Sequence, residues 1–436
     1  MEAAPSSSTC ACSHLVTMPY PARGYINPMM NFCKMLLSND NTRLILVTFV
    51  VTEEWLGFIG SDPKPDIMRF ATIPNVVASD HPGFLEAVMA KMEASFEELL
   101  NRLQPPPTAI VSDTFLYWAV VVGSRRNIPV ALFSTMSASI FFVLHHHHLL
   151  VNLSENGGER VDYIPEISSM RVVDFPLNDG SCRSKQLLKT CLKGFAWVSK
   201  AQYLLFTSIY ELEPHAIDVL KAELSLPIYT IGPAIPYFSL QNNPTFSTTN
   251  GTSDSYMEWL QVLFFTSHKG SHFSVSRAQM DEIAFALRES GIQFLWVGRS
   301  EASRLKEICG NQHYYKRSIL RRMCLVGMKK GVTWCDQQLR VLSHPSIGGF
   351  WSHCGWNSTK GVLAGEDVKV NTTTLVKKDE IAMLVQKFMD LDSNLAREIR
   401  ERSETLRQIC SRAITNGGSA VTDLNAFVKD LVQTIH

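Results

Sequence analysis

The sequence predicts an α/β protein built from two doubly wound, Rossmann-like domains. Three observations lead to this prediction. Short apolar runs alternate with helical patterns through the first half of the chain, which is typical of β-α-β units and a parallel sheet. The same alternation resumes after a polar stretch at positions 234–255. The chain of 436 residues is also long for one hydrophobic core, since single cores stop growing at about 250–300 residues.

The elements of the first half are predicted from apolar runs and from the turn residues that bound them. The first strand covers His14–Met18, and Asn27-Pro28 is typical of a helix cap followed by a first helical residue, so a helix is predicted from about Pro28 to Ser38. Further strands are predicted at Arg43–Val51, Ile67–Ala71, Ala109–Ser112, Pro129–Phe133 and Gln202–Thr207, and further helices at Gly83–Leu103, Ser137–Leu150 and Glu211–Leu224.

The polar stretch at 234–255, rich in Asn, Thr, Ser and Pro, is predicted to link a first domain at 1–233 to a second domain at 256–436. In the second domain, Ile347 and the pair Phe350-Trp351 predict a short buried strand that flanks a Gly-Gly turn. Its other predicted elements are Tyr256–Leu260, Val262–Thr266, the amphipathic helix Ser276–Ser290, the strand Phe294–Gly298, and late helices at Glu380–Asp390, Asn394–Ile414 and Ala420–His436.

Composition excludes several classes of function. Lys and Arg together number 41, as do Asp and Glu, so no bulk charge attracts nucleic acid or an anionic membrane. The chain contains no run of about 18 apolar residues and its first residues do not form a secretory signal. The ten cysteines are scattered, which favours free thiols in a reducing compartment. A cytoplasmic protein without a membrane span is therefore expected.

The run His145–His148 has the appearance of a metal-binding cluster. Neither cysteine nor carboxylate stands near it in the sequence to complete a ligand set. We therefore prefer the interpretation of a helix that borders a ligand pocket over that of a metal site, and no metal ligand is predicted.

The stretch from Trp334 to Gly365 carries the strongest functional signal. His353-Cys-Gly-Trp-Asn-Ser-Thr359 is typical of a helix start, where unpaired backbone N–H groups and the helix dipole favour an anion. His353, Asn357 and Ser358 add side-chain donors there, and the ring of Trp334 could stack on a base. A base and a pyrophosphate together indicate a nucleotide-diphosphate ligand.

This stretch closely resembles the signature box of plant family 1 UDP-glycosyltransferases, and other family landmarks follow in order along nearly the whole chain, including Tyr210-Glu-Leu-Glu-Pro214 and Ile231-Gly-Pro233. The resemblance implies the two-domain GT-B fold, in which the two domains face each other across a cleft. It also implies that the last helices of the chain pack back toward the first domain. It also implies a monomer that needs no cofactor or metal. The UDP-sugar donor, which is a co-substrate, would bind at Trp334, Cys335, Gln337, His353, Gly355, Trp356, Asn357, Ser358 and Ser271.

The family's catalytic pair is present only in part. In the family, a histidine after the first strand takes the acceptor proton, and an aspartate after the fourth strand orients it. Here Gly24-Tyr25-Ile26-Asn27-Pro28 places a tyrosine at the histidine position, whereas Asp113 matches the aspartate. A phenol has an ordinary pKa of about 10 and is a poor base at neutral pH, whereas imidazole is suited to that role.

The donor box departs from the family as well. The spacing from Trp334 to His344 is one residue longer, and Lys360-Gly361 stands where the family carries a glutamate for the ribose. Glu366–Thr374 replaces the Pro-rich strand and the Asp/Glu-Gln pair that binds the sugar. The second domain is thus that of a divergent, shortened member. The strand before Gly270-Ser271 is also unlike the family's.

Two functions of different class follow. The first is an inverting UDP-glycosyltransferase that moves a sugar to the hydroxyl of a small hydrophobic acceptor such as a flavonol or other phenol. The resemblance implies that the sugar is glucose. The second is a catalytically impaired or inactive member that only binds nucleotide or a small hydrophobic ligand, as Tyr25 and the lost sugar-binding pair suggest. Replacing Tyr25 with histidine separates the two.

Overall fold

In the computed structural model the chain divides into two compact units. The first unit comprises Met1–Ala234 together with Ser419–His436, and the second unit comprises Ile235–Gly418. The boundary between the units falls at the start of the stretch expected to be a linker. The residues that the structure describes are 13–38, 45–59, 68–76, 81–146, 182–235, 264–268, 276–292, 294–298, 323–327, 347–351, 356, 376–390 and 392–435.

Within these residues the chain forms eleven strands and eleven α-helices. The strands are β1 Ser13–Met18, β2 Ile45–Thr52, β3 Met68–Ile73, β4 Ala109–Asp113, β5 Val130–Ser134, β6 Tyr203–Phe206, β7 Ile228–Thr230, β8 Phe264–His268, β9 Phe294–Gly298, β10 Met323–Gly327 and β11 Ile347–Trp351. The helices are α1 Arg23–Leu37, α2 Glu53–Ile59, α3 His81–Arg102, α4 Trp118–Arg126, α5 Ala138–His145, α6 Cys182–Phe195, α7 Pro214–Glu223, α8 Arg277–Glu289, α9 Lys378–Met389, α10 Asn394–Ile414 and α11 Ser419–Ile435.

The described strands of the first unit form one parallel sheet in the order β3-β2-β1-β4-β5-β6-β7. β1 pairs with β2 on one side and with β4 on the other, so the strand order reverses between β1 and β4. Residues of β1, β2, β4 and β5 are buried throughout, as helices on both faces of a parallel sheet require. This explains why these strands were predictable as continuous apolar runs.

One polar residue inside β1 is held by specific partners. His14 is fully buried, and its Nε2 lies 2.7 Å from Thr48 Oγ1 on β2. Its Nδ1 lies 2.5 Å from the carbonyl oxygen of Pro105. Burial is the main cause that lowers the pKa of His14, which is therefore a neutral structural residue of the sheet.

The start of α1 corrects a prediction. The helix begins at Arg23 rather than near Pro28, and its first turn closes with Tyr25 N and Ile26 N donating to Ala22 O. Pro28 therefore lies inside the helix, and Asn27 does not cap it. Proline has no backbone N–H to donate to the carbonyl four residues earlier, so α1 lacks that one hydrogen bond at Pro28. Consequently Tyr25 belongs to the first helical turn rather than to a loop.

Helix α11 covers the edge of the first sheet at β7. Phe427 is fully buried with its ring 5.6 Å from that of Tyr203 and 5.8 Å from that of Tyr229. Asp423 accepts hydrogen bonds from the backbone N–H of Thr230 at 2.7 Å and from its hydroxyl at 2.8 Å. The last helix of the chain is thus an integral part of the first unit.

The described strands of the second unit form a parallel sheet in the order β10-β9-β8-β11. β8 forms where the sequence appeared unlike a family strand, and β10 forms where the sequence analysis predicted no element. The expected Gly-Gly turn is also wrong, because Gly348 and Gly349 lie inside β11. A side chain at Gly349 would place its Cβ 2.3 Å from the ring of Phe388 on α9, so glycine is needed there for close packing.

Candidate active site

Asp113 occupies the carboxyl end of β4, at the point where the strand order reverses. Open parallel sheets bind their ligands at this edge and at this reversal. Asp113 is fully buried, and its Oδ1 accepts a hydrogen bond of 2.9 Å from the backbone N–H of Phe115. Its Oδ2 has no hydrogen-bond partner among the described residues. An acceptor atom thus remains available on a buried carboxyl group.

Burial changes the acidity of this group. Removal from water disfavours the carboxylate and raises the pKa of Asp113 to about 8, although the N–H of Phe115 offsets part of the effect. With such a pKa, about one molecule in ten carries the charged form at pH 7. A base whose pKa lies near the ambient pH is well placed to take a proton from a bound hydroxyl.

Tyr25 lies next to this carboxyl group, in the first turn of α1. Its pKa is raised well above the usual value, first by burial and then by the charge of Asp113. A phenol in this setting keeps its proton at any physiological pH. The residue at the family's histidine position can therefore donate a hydrogen bond but cannot act as the base.

Aromatic rings line the same edge of the sheet. The ring of Tyr20 lies 4.9 Å from that of Tyr25, and the rings of Phe84 and Phe115 lie 6.2 and 6.3 Å from Tyr20 in edge-on orientation. Tyr20 is buried, and burial followed by the charge of Asp113 raises its pKa also. These rings, packed at an angle to one another, form an aromatic wall beside the carboxyl group.

Two side chains hold this wall. Trp55 on α2 donates from its indole N–H to the carbonyl oxygen of Pro21 at 2.9 Å, which fixes the loop after β1. Cys191 on α6 is buried, and burial raises the pKa of its thiol to about 12, so it is an unreactive packing residue. The thiol lies close enough to Tyr20 and Tyr25 to help raise the pKa of both phenols, which places α6 beside the wall.

Glu213 is a structural residue of the site region that our sequence reasoning missed. Its buried carboxylate accepts hydrogen bonds from the N–H groups of Ala138 and Ser139, at 3.1 and 2.9 Å, and from the hydroxyls of Ser139 and Ser208, at 2.9 and 2.7 Å. It thus binds the start of α5 to the segment after β6. The landmark Tyr210–Pro214 contained the signal, but the long-range partners were not visible in it.

Tyr20 was missed as well. It stands in the run Met18-Pro-Tyr-Pro21, to which the sequence analysis assigned no role. Of the predicted donor residues, only Trp356 is among those described, where it is partly buried. The predicted residues Ser271, Trp334, Cys335, Gln337, His353, Gly355, Asn357 and Ser358 lie outside the described residues.

Together, the fold and the site define a Rossmann-like protein with a buried carboxyl group beside aromatic rings, at the edge of the sheet where such folds bind ligands. The chain is 40% identical over 467 residues to UDP-glycosyltransferase 87A1 of Arabidopsis thaliana, in an alignment that covers 96% of this chain and all of that relative. It is also 40% identical over 473 residues to UDP-glycosyltransferase 87A2 of the same plant, covering 97% of each. The chain belongs to the plant UDP-glycosyltransferase family. No family model matches the sequence.

Solved structures show the same fold. Phytolacca americana UGT2, complexed with UDP-2-fluoro-glucose and pterostilbene, aligns with a TM-score of 0.75 at 22% identity, over 96% of this chain and 99% of that one. Os79 from O. sativa in complex with UDP aligns with a TM-score of 0.76 at 22% identity, over 96% and 100%. The predicted family and the predicted GT-B class of fold are therefore confirmed.

Two further expectations can be compared with these results. The alignment to UDP-glycosyltransferase 87A1 spans 467 residues, more than the 436 of this chain, so that relative contains residues that this chain lacks. Within the described part of the chain, none of the helices combines the length and apolar character needed to cross a membrane.

Proposed function

We propose that this protein is an inverting UDP-glycosyltransferase that transfers glucose from UDP-glucose to the hydroxyl group of a small phenol, a flavonol being the kind of acceptor expected. The observation that carries the proposal is the buried carboxyl group of Asp113, which has a free acceptor atom and stands beside an aromatic wall at the reversal point of the sheet. We further propose a cytoplasmic monomer that needs no cofactor or metal ion for this chemistry.

The acidity of Asp113 favours a phenol over an aliphatic alcohol. A phenol with a pKa of about 10 is only about two units less acidic than a carboxyl group with a pKa of about 8. An aliphatic hydroxyl resembles that of water, whose pKa is near 15.7, so its pKa lies more than five units above that of the phenol and Asp113 would deprotonate it far less readily. Asp113 therefore acts directly on a phenolic acceptor, in the place of the absent histidine.

In this mechanism Asp113 takes the proton as the acceptor oxygen attacks the anomeric carbon, while Tyr25 donates a hydrogen bond and holds the acceptor ring. UDP departs toward the helix start predicted at His353–Ser358, where N–H groups stabilise its charge. Since only the ionised form of Asp113 is active, the rate should rise with pH and level off above about pH 8.

To test this mechanism, the full chain is incubated with UDP-glucose and either a flavonol or an aliphatic alcohol of similar size. The glucoside formed is measured by mass spectrometry. We expect product from the flavonol alone. Tyr25→Phe should lose at most about 10-fold in rate, because it removes one hydrogen bond to the acceptor, whereas Asp113→Asn should lose at least about 100-fold. Product formation by Asp113→Asn at the parent rate would refute the assignment of the base.

The second candidate function is a member of the family that binds its ligands but does not turn over. The raised pKa of Tyr25 favours it, because the family's usual base is replaced by a group that cannot accept a proton. Saturable binding of UDP without glucoside from any phenol, over pH 6–9, would support this second function and exclude the first.

A further inference from the structure

A cluster of possible metal ligands lies in the first unit, apart from the candidate active site. His145 ends α5, His146 follows it, and Glu223 ends α7. One ligand atom from each of the three residues lies within 4.8 Å of the other two. The sequence offered no carboxylate near the histidines, and the fold supplies one from a helix much later in the chain.

Both ring nitrogens of His146 face an oxygen atom. Its Nδ1 lies 2.9 Å from the carbonyl oxygen of Phe142, and since that oxygen only accepts, Nδ1 must carry a hydrogen. Its Nε2 lies 2.9 Å from Oε2 of Glu223. A carboxylate oxygen at the end of α7 is thus directed at a ring nitrogen that follows the end of α5.

The arrangement of His146 is the one found in metal sites. A ligating histidine commonly donates its second ring N–H to a carbonyl or carboxylate oxygen, which fixes the tautomer and the ring. Phe142 O accepts that hydrogen bond here, which leaves Nε2 directed at the carboxylate of Glu223.

Both rings are also held in place by the preceding helical turn. The ring of His145 stacks 6.5 Å from that of Phe141 at an angle of 15°, and the ring of His146 lies 4.1 Å from that of Phe142. The two histidine rings stand edge to face at 5.1 Å. Little side-chain freedom would be lost if both rings bound one ion.

The helix ends supply a further attraction for a cation. Glu213 joins the start of α7 to the start of α5, and Glu223 joins their carboxyl ends through His146. The two helices therefore run side by side in the same direction. Their last carbonyl groups concentrate partial negative charge in one place, which stabilises a positive charge there.

We propose that His145, His146 and Glu223 bind one divalent transition-metal ion, for which Zn²⁺ fits best. Two imidazole nitrogens and a carboxylate oxygen form a common zinc ligand set, and water completes the tetrahedron. Ligand atoms at about 2.0–2.2 Å from zinc lie about 3.3 Å apart, so the observed cluster closes with small rotations of its side chains.

The ion would tie the carboxyl ends of α5 and α7 together. A helix that follows a strand of a parallel sheet runs back toward the amino ends of the strands. The carboxyl ends of α5 and α7 therefore lie at the amino-end side of the sheet, whereas Asp113 lies at its carboxyl-end side. The proposed metal site thus takes no part in sugar transfer. We therefore expect zinc to raise the thermal stability of the first unit, since an ion that binds only the folded state stabilises it.

The test is a calorimetric titration of the untagged full chain with ZnCl₂, accompanied by melting curves with and without zinc. We expect saturation near one equivalent and a higher Tm with zinc. Glu223→Gln and His146→Ala should each weaken binding by at least about 10–100-fold. Glu223 is exposed, with 40% of its side chain accessible, so its substitution leaves the fold intact and keeps the test valid if His146→Ala misfolds.

Matched controls lie on the same helix. Asp218→Asn removes another exposed carboxylate of α7, one that accepts a hydrogen bond from the hydroxyl of Tyr210 rather than from a histidine. His215→Ala removes an exposed imidazole at the other end of α7. Both should bind zinc like the parent. Equal affinity in Glu223→Gln and Asp218→Asn would show that the histidine run binds zinc without Glu223 and would overturn the proposal, as would the absence of saturable binding to the parent protein.

Discussion

Replacing Asp113 with asparagine should stabilise the first unit at neutral and alkaline pH while it removes the proposed base. The carboxyl group is fully buried, and its charged form receives only one hydrogen bond from the described residues, from Phe115 N. Asparagine fills nearly the same volume, and its carbonyl oxygen can accept the same bond. Function and stability thus oppose each other at this residue, as they often do in active sites.

The size of the effect follows from the pKa of Asp113, which is about 8 in the folded protein against an ordinary 3.8. Below about pH 4 the group is neutral in both states and contributes no penalty. Between pH 4 and 8 the unfolded chain ionises while the folded chain does not, so stability falls by about 1.4 kcal/mol per pH unit. The loss reaches about 4 kcal/mol at pH 7 and levels off above pH 8.

The assay is urea-dependent hydrogen exchange, read by mass spectrometry on peptides from β1 and β4, because a two-unit chain need not unfold in one step. Between pH 5 and 8, the parent should lose about 4 kcal/mol more unfolding free energy than Asp113→Asn. Asp218→Asn, which removes an exposed carboxyl group on α7, is the control and should behave like the parent. If the parent and Asp113→Asn show the same pH dependence, Asp113 is ionised in the folded protein and the reasoning fails.

Three further predictions concern residues already described. Tyr25→His restores an imidazole beside Asp113, and it should raise glucoside formation from a phenol by about 10²–10⁴-fold; an unchanged rate would place the defect in donor binding. Glu213→Ala leaves buried donors without an acceptor and should lower the unfolding free energy of the first unit by at least about 3 kcal/mol, with Glu213→Gln less severe; a loss below about 1 kcal/mol would contradict its role. Phe427→Ala should cost about 3–5 kcal/mol and expose α11 to early hydrogen exchange; unaltered protection of α11 would refute its anchoring by this ring.

Much of the fold was visible in the sequence because the decisive signals are local. β1, β4 and β5 are buried on both faces and appear as apolar runs. The helix Asn394–Ile414 was predicted with the bounds it has, and Ser393 caps it by accepting from Ala396 N at 3.1 Å. Local patterns of burial and capping determine these elements, so one sequence is sufficient to find them.

The errors come from constraints that are not local. α1 starts at Arg23, and its N-cap residue Ala22 makes no side-chain cap, so the Asn27-Pro28 signal misplaced the helix start. Gly349 continues a strand because the ring of Phe388, distant in sequence, occupies the space of a side chain. The strand β10 forms by pairing with β9, and the sequence analysis predicted no element there.

The candidate site shows the same division. Asp113 and Tyr25 were found by the resemblance to the family, which names the loop after the first strand and the end of the fourth, and the structure brings them to one edge of the sheet. The raised pKa of Asp113 and the wall around Tyr20 depend on burial by several elements, which a sequence does not reveal. The pairing of His146 with Glu223 also required the fold, because the two residues belong to different helices.

The central claim is that this member of the family retains a working UDP-sugar site. Calorimetric titration of the purified full chain with UDP tests it most directly, with circular dichroism confirming that the sample is folded. We predict saturable binding at one equivalent, with competition by UDP-glucose. A folded sample that gives no heat with UDP at any concentration would contradict the claim.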